Sequence, residues 1–96
     1  MKMVMIVHYS AIGSDVTEAL TKIGVRTYTK LPGIHGLGTS SEPHFDTHIW
    51  PGTNDLVLTV VDEQKAGEVM KEVGELKKKF KKEGIKAFLF SVEAVV

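Results

Sequence analysis

From Asn54 to Val73 the chain reads NDLVLTVVDEQKAGEVMKEV, and two periodicities meet inside it. Asn54–Val61 is apolar on both parities, the pattern of a short strand buried on both faces. Asp62 and Glu63 then open a helix whose apolar stripe runs Ala66, Val69, Met70, Val73, Leu76 and Phe80, the spacing of one helical face. The opening segment Lys2–Tyr9 repeats the doubly apolar pattern, with Met3, Met5 and Val7 on one parity and Val4 and Ile6 on the other. After a turn at Ser10–Gly13, Ser14 is the expected N-cap of a first helix, because its hydroxyl can accept from a free amide of the first turn. Val16, Ala19, Leu20 and Ile23 form that helix's buried face, and Gly24 is its expected C′ residue. Val25–Leu31 (VRTYTKL) is β-branched and only half apolar, which suits an edge strand ended by Pro32. Gly84 is expected to close the second helix, and Ile85–Val92 (IKAFLFSV) is the final strand.

The order strand, helix, strand, strand, helix, strand is that of an α+β, ferredoxin-like βαββαβ domain, an antiparallel sheet with two helices on one face. Residues 1–96 form one such domain, with the first and third strands central. Helices on one face leave the other parity of those strands uncovered. Three aliphatic side chains from each make an apolar patch of the kind that marks an interface, so a homo-oligomer is expected.

Composition narrows the function. Twelve basic residues balance twelve acidic ones and the pI is about 6.9, which argues against nucleic acid or an anionic membrane as partner. With no cysteine there is no disulfide framework and no thiolate ligand or nucleophile. No apolar run reaches the roughly 18 residues of a membrane span, and MKMVMIVHYS makes a poor signal peptide. A cytoplasmic protein is expected.

Pro32–Thr53, PGIHGLGTSSEPHFDTHIWPGT, connects two strands and holds three of the four histidines, all three prolines, the only tryptophan and four of the nine glycines. Structureless connections beyond about 12–15 residues tend to be functional or disordered, and Ile34, Leu37, Phe45, Ile49 and Trp50 favour an anchored loop. His44, Asp46 and His48 alternate. On an extended strand they share a face about 6.5–7 Å apart, and a bend would bring His44 and His48 together. Two imidazoles and a carboxylate suit a divalent metal such as Zn²⁺ or Cu²⁺, with His35 as a further ligand; loop histidines bonded to backbone are the plainer alternative. Gly36, Gly38, Thr39 and Ser40 offer amides and hydroxyls able to cradle an anion, against the plainer role of a flexible loop base. The lysines Lys77, Lys78, Lys79, Lys81 and Lys82 read as a solvated helix face, and His8 as a hydrogen-bonded interface histidine. No catalytic constellation stands out, so an enzyme is not expected.

The chain resembles the PII signalling proteins, the nitrogen regulatory family of ferredoxin-like trimers that contact partners through a long T-loop. The likeness is carried by EALTKIGV (Glu18–Val25), Gly36-Leu37-Gly38 at the loop base, LVLTVVDEQKAGEVMKEV (Leu56–Val73) and FLFSVEAVV (Phe88–Val96). It implies a homotrimer, a small ligand at the loop base, an adenine nucleotide or a metal ion, and a regulatory protein partner met through residues 32–53. It also points to Lys86 as a phosphate contact. There are departures. Thr39-Ser40-Ser41 stands where the family has its ligand-binding glutamine, and only Glu83-Gly84-Ile85-Lys86 remains of its phosphate loop. The C-terminal arginines and the loop tyrosine have no counterpart. A metal-binding protein nearer in role to the CutA proteins, which share the fold, is the alternative.

Overall fold

The computed structural model describes residues 1–35 and 53–96. In chain order these form β1 (Lys2–Tyr9), a 3-10 turn (Ser10–Ile12), α1 (Gly13–Lys22), β2 (Thr29–Ile34), β3 (Asn54–Val61), α2 (Glu63–Lys79) and β4 (Ile85–Ser91). The sheet order is β2-β3-β1-β4, and every neighbouring pair is antiparallel. The doubly apolar strands β1 and β3 are therefore central and β2 and β4 are edges. This is the ferredoxin-like arrangement that the element order implies.

Burial alternates along the central strands. Val4, Ile6 and His8 are buried in β1, and their cross-strand partners Thr59, Val57 and Asp55 are buried in β3. This parity faces the helices. Val16 and Leu20 of α1 and Ala66, Val69 and Val73 of α2 complete the core, with Ile12, Val25 and Ile85 at its margins. Each valine, leucine or isoleucine among them is worth about 1.5–3 kcal/mol when fully buried.

Local signals explain most of the boundaries. Asp62 caps α2, its carboxylate accepting from the Lys65 amide at 2.7 Å. At the end of α1 the Val25 amide donates to the Leu20 carbonyl (2.9 Å) and the Gly24 amide to Thr21 (3.0 Å), with Gly24 at φ +88°. Those two bonds form a Schellman ending, which needs the left-handed residue that glycine supplies most easily.

Three expectations are corrected. Ser14 does not cap α1: the 3-10 turn Ser10–Ile12 runs straight into the helix, whose N-cap position is Ile12, without a side-chain cap bond. The turn supplies the continuity that a capping hydroxyl would otherwise provide. Gly84 does not close α2, which stops at Phe80, four residues earlier. The second strand begins at Thr29 rather than Val25 and continues past Pro32 to Ile34. Pro32 is tolerated because β2 is an edge strand, where a missing N–H leaves no inner ladder bond unmade. The register shifts between Leu31 and Ile34, so Pro32 and Gly33 (φ +71°) form a bulge.

The other parity carries an apolar sheet surface. Its rows across the strands are Val60–Met3–Phe90, Thr29–Leu58–Met5–Phe88 and Leu31–Leu56–Val7–Lys86. No described helix covers it, and among the described residues Leu31, Val60, Phe88 and Phe90 are 39–44% exposed.

Candidate functional site

Three connections meet at the end of β1. The Tyr9 amide donates to the Gly84 carbonyl at 2.8 Å, linking β1 to the α2–β4 connection, and the Ser10 amide donates to Thr53 at 3.0 Å, linking it to the return of the long loop. His35, exposed, is the last described residue before that loop. On the open face here lies the row Leu31–Leu56–Val7–Lys86, and Lys86 is exposed. An apolar shelf ending in an ammonium can take a flat apolar group at one end and an anion at the other.

On the helix-covered side of the same sheet end lies a buried polar cluster that was not legible in the sequence. Asp55 is 5% exposed. Its Oδ1 accepts from the Ser10 hydroxyl at 2.8 Å and from the Gly33 amide at 3.2 Å, and the Lys30 ammonium lies 3.4 Å from Oδ2. Burial alone would raise the Asp55 carboxyl. The Ser10 hydroxyl, the Gly33 amide and the Lys30 ammonium together outweigh it and hold the group below its usual value of 3.8. The one available signal was an aspartate inside an otherwise apolar strand; its partners lie on segments far away in sequence.

His8, opposite Asp55 in the β1–β3 register, is 1% exposed. It is not an interface histidine, because its parity faces the helices. Its Nδ1 lies 2.7 Å from the Tyr9 carbonyl, which can only accept, so Nδ1 carries the proton. Among the described residues no buried side-chain nitrogen or oxygen lacks a partner.

A folded-state carboxyl below 3.8 stabilises the native state above that pH, and the contribution is lost as pH falls through the folded value. Wild-type stability minus that of Asp55→Asn is therefore expected to be constant from about pH 5 to 7 and to shrink below about pH 4. Urea titrations at stepped pH measure it; a difference that grows on acidification contradicts the assignment.

The remaining candidates fall as follows. Gly36, Gly38, Thr39, Ser40, His44, Asp46, His48 and Trp50 lie outside the described residues. Among the described residues no group of three or more histidines and carboxylates could hold a metal ion. Of the lysine cluster, Lys77 donates to the Ile85 carbonyl (2.8 Å), Lys78 pairs with Glu75 (3.5 Å), and Lys79 lies 3.9 Å from Asp15 and over the Phe80 ring. A groove between α1 and α2 is lined by Asp15, Glu18, Glu72, Glu75, Lys22 and Lys79. Its four carboxylates outnumber its two lysines, and those lysines are engaged, Lys22 meeting Glu72 at 3.1 Å and Lys79 lying 3.9 Å from Asp15, so it does not suit an anionic ligand. No described helix is long and apolar enough to cross a membrane.

A family model described as nitrogen regulatory protein P-II matches residues 1–96. Among solved structures, a PII-like signaling protein from Thermus thermophilus is 26% identical, with a TM-score of 0.67 over 95% of this chain and 85% of that one. CPII from Thiomonas intermedia, bound to ADP, AMP and acetate, is 18% identical with a TM-score of 0.72 over 95% and 84% of the two chains. The same protein bound to ADP and bicarbonate is 18% identical with a TM-score of 0.67 over 97% and 88%. At 18% identity the likeness speaks for the fold alone. No curated protein matches the chain.

Proposed function

The chain belongs to the nitrogen regulatory protein P-II family, and from that premise we propose that it is a ligand-sensing regulatory protein rather than an enzyme. It binds an adenine nucleotide at the loop base and reports occupancy to a protein partner through residues 32–53. The observation that carries this reading is the convergence at the end of β1 of the loop's two ends, the α2–β4 connection and the shelf ending in Lys86. The shelf suits a purine ring, and Lys86 with the amides and hydroxyls of Gly36, Gly38, Thr39 and Ser40 suits the phosphates. CPII, which shares the fold, is bound to ADP in the two structures compared above.

The open sheet face supports a homotrimer with the ligand between subunits. A ligand can shift the loop only by binding one of its states better than the other, and a neighbouring subunit closing over the shelf would make that difference larger.

ADP is expected to raise the melting temperature. Saturation at about 100 times Kd adds about 2.7 kcal/mol, which for a domain of this size is on the order of 10–20 °C. Lys86→Met is expected to weaken ADP by roughly 10- to 100-fold, the worth of a hydrogen bond to a charged group. Calorimetry and thermal shift with ADP, AMP, ATP, Zn²⁺ and Cu²⁺ test the reading. No response to any nucleotide at millimolar concentration sinks it, and a response to metal alone would favour the metal-binding alternative.

A further inference from the structure

We propose that Asp55 is a positioning residue: its buried carboxylate fixes the backbone that frames the loop base, and through it the ligand site on the opposite face of the sheet. The link to a ligand rests on the nucleotide reading above; the effect on the backbone does not.

Three features carry the inference. First, the partners of Asp55 belong to separate stretches of chain: Ser10 is in the turn between β1 and α1, Lys30 is in β2, and Gly33 is in the β2 bulge. Asp55 itself opens β3 just after the loop returns. One side chain therefore joins the exit and re-entry of the loop to the turn that follows β1. Second, the Gly33 amide belongs to a residue that the register shift leaves without a strand partner, and Asp55 Oδ1 is the acceptor that satisfies it at 3.2 Å. The bulge is held where it is by this bond. Third, the strand alternates, so Asn54 and Leu56 on either side of Asp55 project to the open face, where Leu56 belongs to the shelf that ends in Lys86. Displacing Asp55 displaces that shelf.

The start of α1 flanks the cluster and leaves room beside it for about a methyl group: a Cβ added to Gly13 would stand 3.6 Å from His8 Cε1, 3.7 Å from Lys30 Nζ and 3.9 Å from Asp55 Oδ2. An aliphatic residue would satisfy the burial at position 55 without desolvating a charge, since well-packed apolar replacements of buried ion pairs are often neutral or stabilising. What it could not supply is an acceptor for Gly33 and Ser10 at once.

The test compares wild type with Asp55→Asn, which keeps one acceptor oxygen but loses the charge, and Asp55→Ala, which loses both. Val69→Ala, in the core on α2, serves as a control for lost stability alone. All are measured at a temperature where each is folded. ADP affinity by calorimetry is expected to fall at least 10-fold in Asp55→Ala, less in Asp55→Asn, and to stay within two-fold in Val69→Ala. Amide hydrogen exchange is expected to quicken at Gly33–His35 by 10-fold or more in Asp55→Ala, beyond any general change in Val69→Ala. Exchange at Gly33–His35 matching the control overturns the proposal, as does ADP binding within two-fold of wild type in a folded Asp55→Ala. If wild type binds no ADP, the nucleotide reading fails, and the exchange result alone decides whether Asp55 positions the loop base.

Discussion

Leu58→Lys is expected to convert the assembly into a folded 10.6 kDa monomer. Leu58 sits in the central strand β3 and pairs with Met5 on one side and Thr29 on the other, in the middle of the open sheet face. Its side chain is half-buried within one chain. In a lone protomer a lysine there can run its methylenes along Met5 and Leu56 and leave its ammonium in water, so the fold survives. In an oligomer closed over that face the same ammonium is buried without a partner, at several kcal/mol per subunit, and symmetry repeats the cost in every protomer. Light scattering on wild type is expected to return about three times the monomer mass of 10.6 kDa, and on the variant the monomer mass with an unchanged far-ultraviolet circular dichroism spectrum. A variant with the wild-type mass would remove this face from the assembly.

Ile6→Ala, by contrast, is expected to damage the fold itself. Ile6 has no exposed surface and lies between Val57 and Ala87 on the helix-covered side of the sheet. Removing its outer carbons leaves a cavity in the middle of the core that the described residues form, typically at about 2–5 kcal/mol for an isoleucine in such a place. At about 4–8 °C per kcal/mol for a domain of this size, the melting temperature falls on the order of 10–30 °C. Folded domains hold only about 5–15 kcal/mol in all, so the variant stands close to unfolding. A drop smaller than about 4 °C in a thermal melt would mean that the core does not depend on this position. The two substitutions sit on opposite faces of one sheet. Their different expected failures, lost assembly in one and lost stability in the other, would separate the face that folds the chain from a face that joins chains.

The fold was legible because its signals are local. The doubly apolar runs Lys2–Tyr9 and Asn54–Val61 identify central strands by hydrophobic content alone, and a residue's parity assigns it to one sheet face whatever the rest of the chain does. The stripe Ala66–Val69–Val73 and the Asp62 cap belong to the same kind of evidence. Boundaries were less legible where tertiary context overrode a local rule. Pro32 reads as a stop, yet the edge position of β2 lets the strand continue through a bulge. Ser14 reads as a cap, yet the preceding 3-10 turn leaves it nothing to cap.

The site divides in the same way. Lys86 could be marked in advance from resemblance to the PII proteins, and its register sets it beside Val7 on the edge strand β4, at the end of the row that runs through Leu56 to Leu31. The cluster of Asp55, Ser10, Lys30 and Gly33 could not. Its members span 45 residues of sequence, and no spacing rule connects a turn serine, an edge-strand lysine and a strand aspartate. By itself the sequence determined which strands are central, which face is apolar and where the long connection falls, because period and composition act over a few neighbouring residues. Only the tertiary structure decided where the bulge lies and which carboxylate holds it, because those depend on chain segments meeting in space.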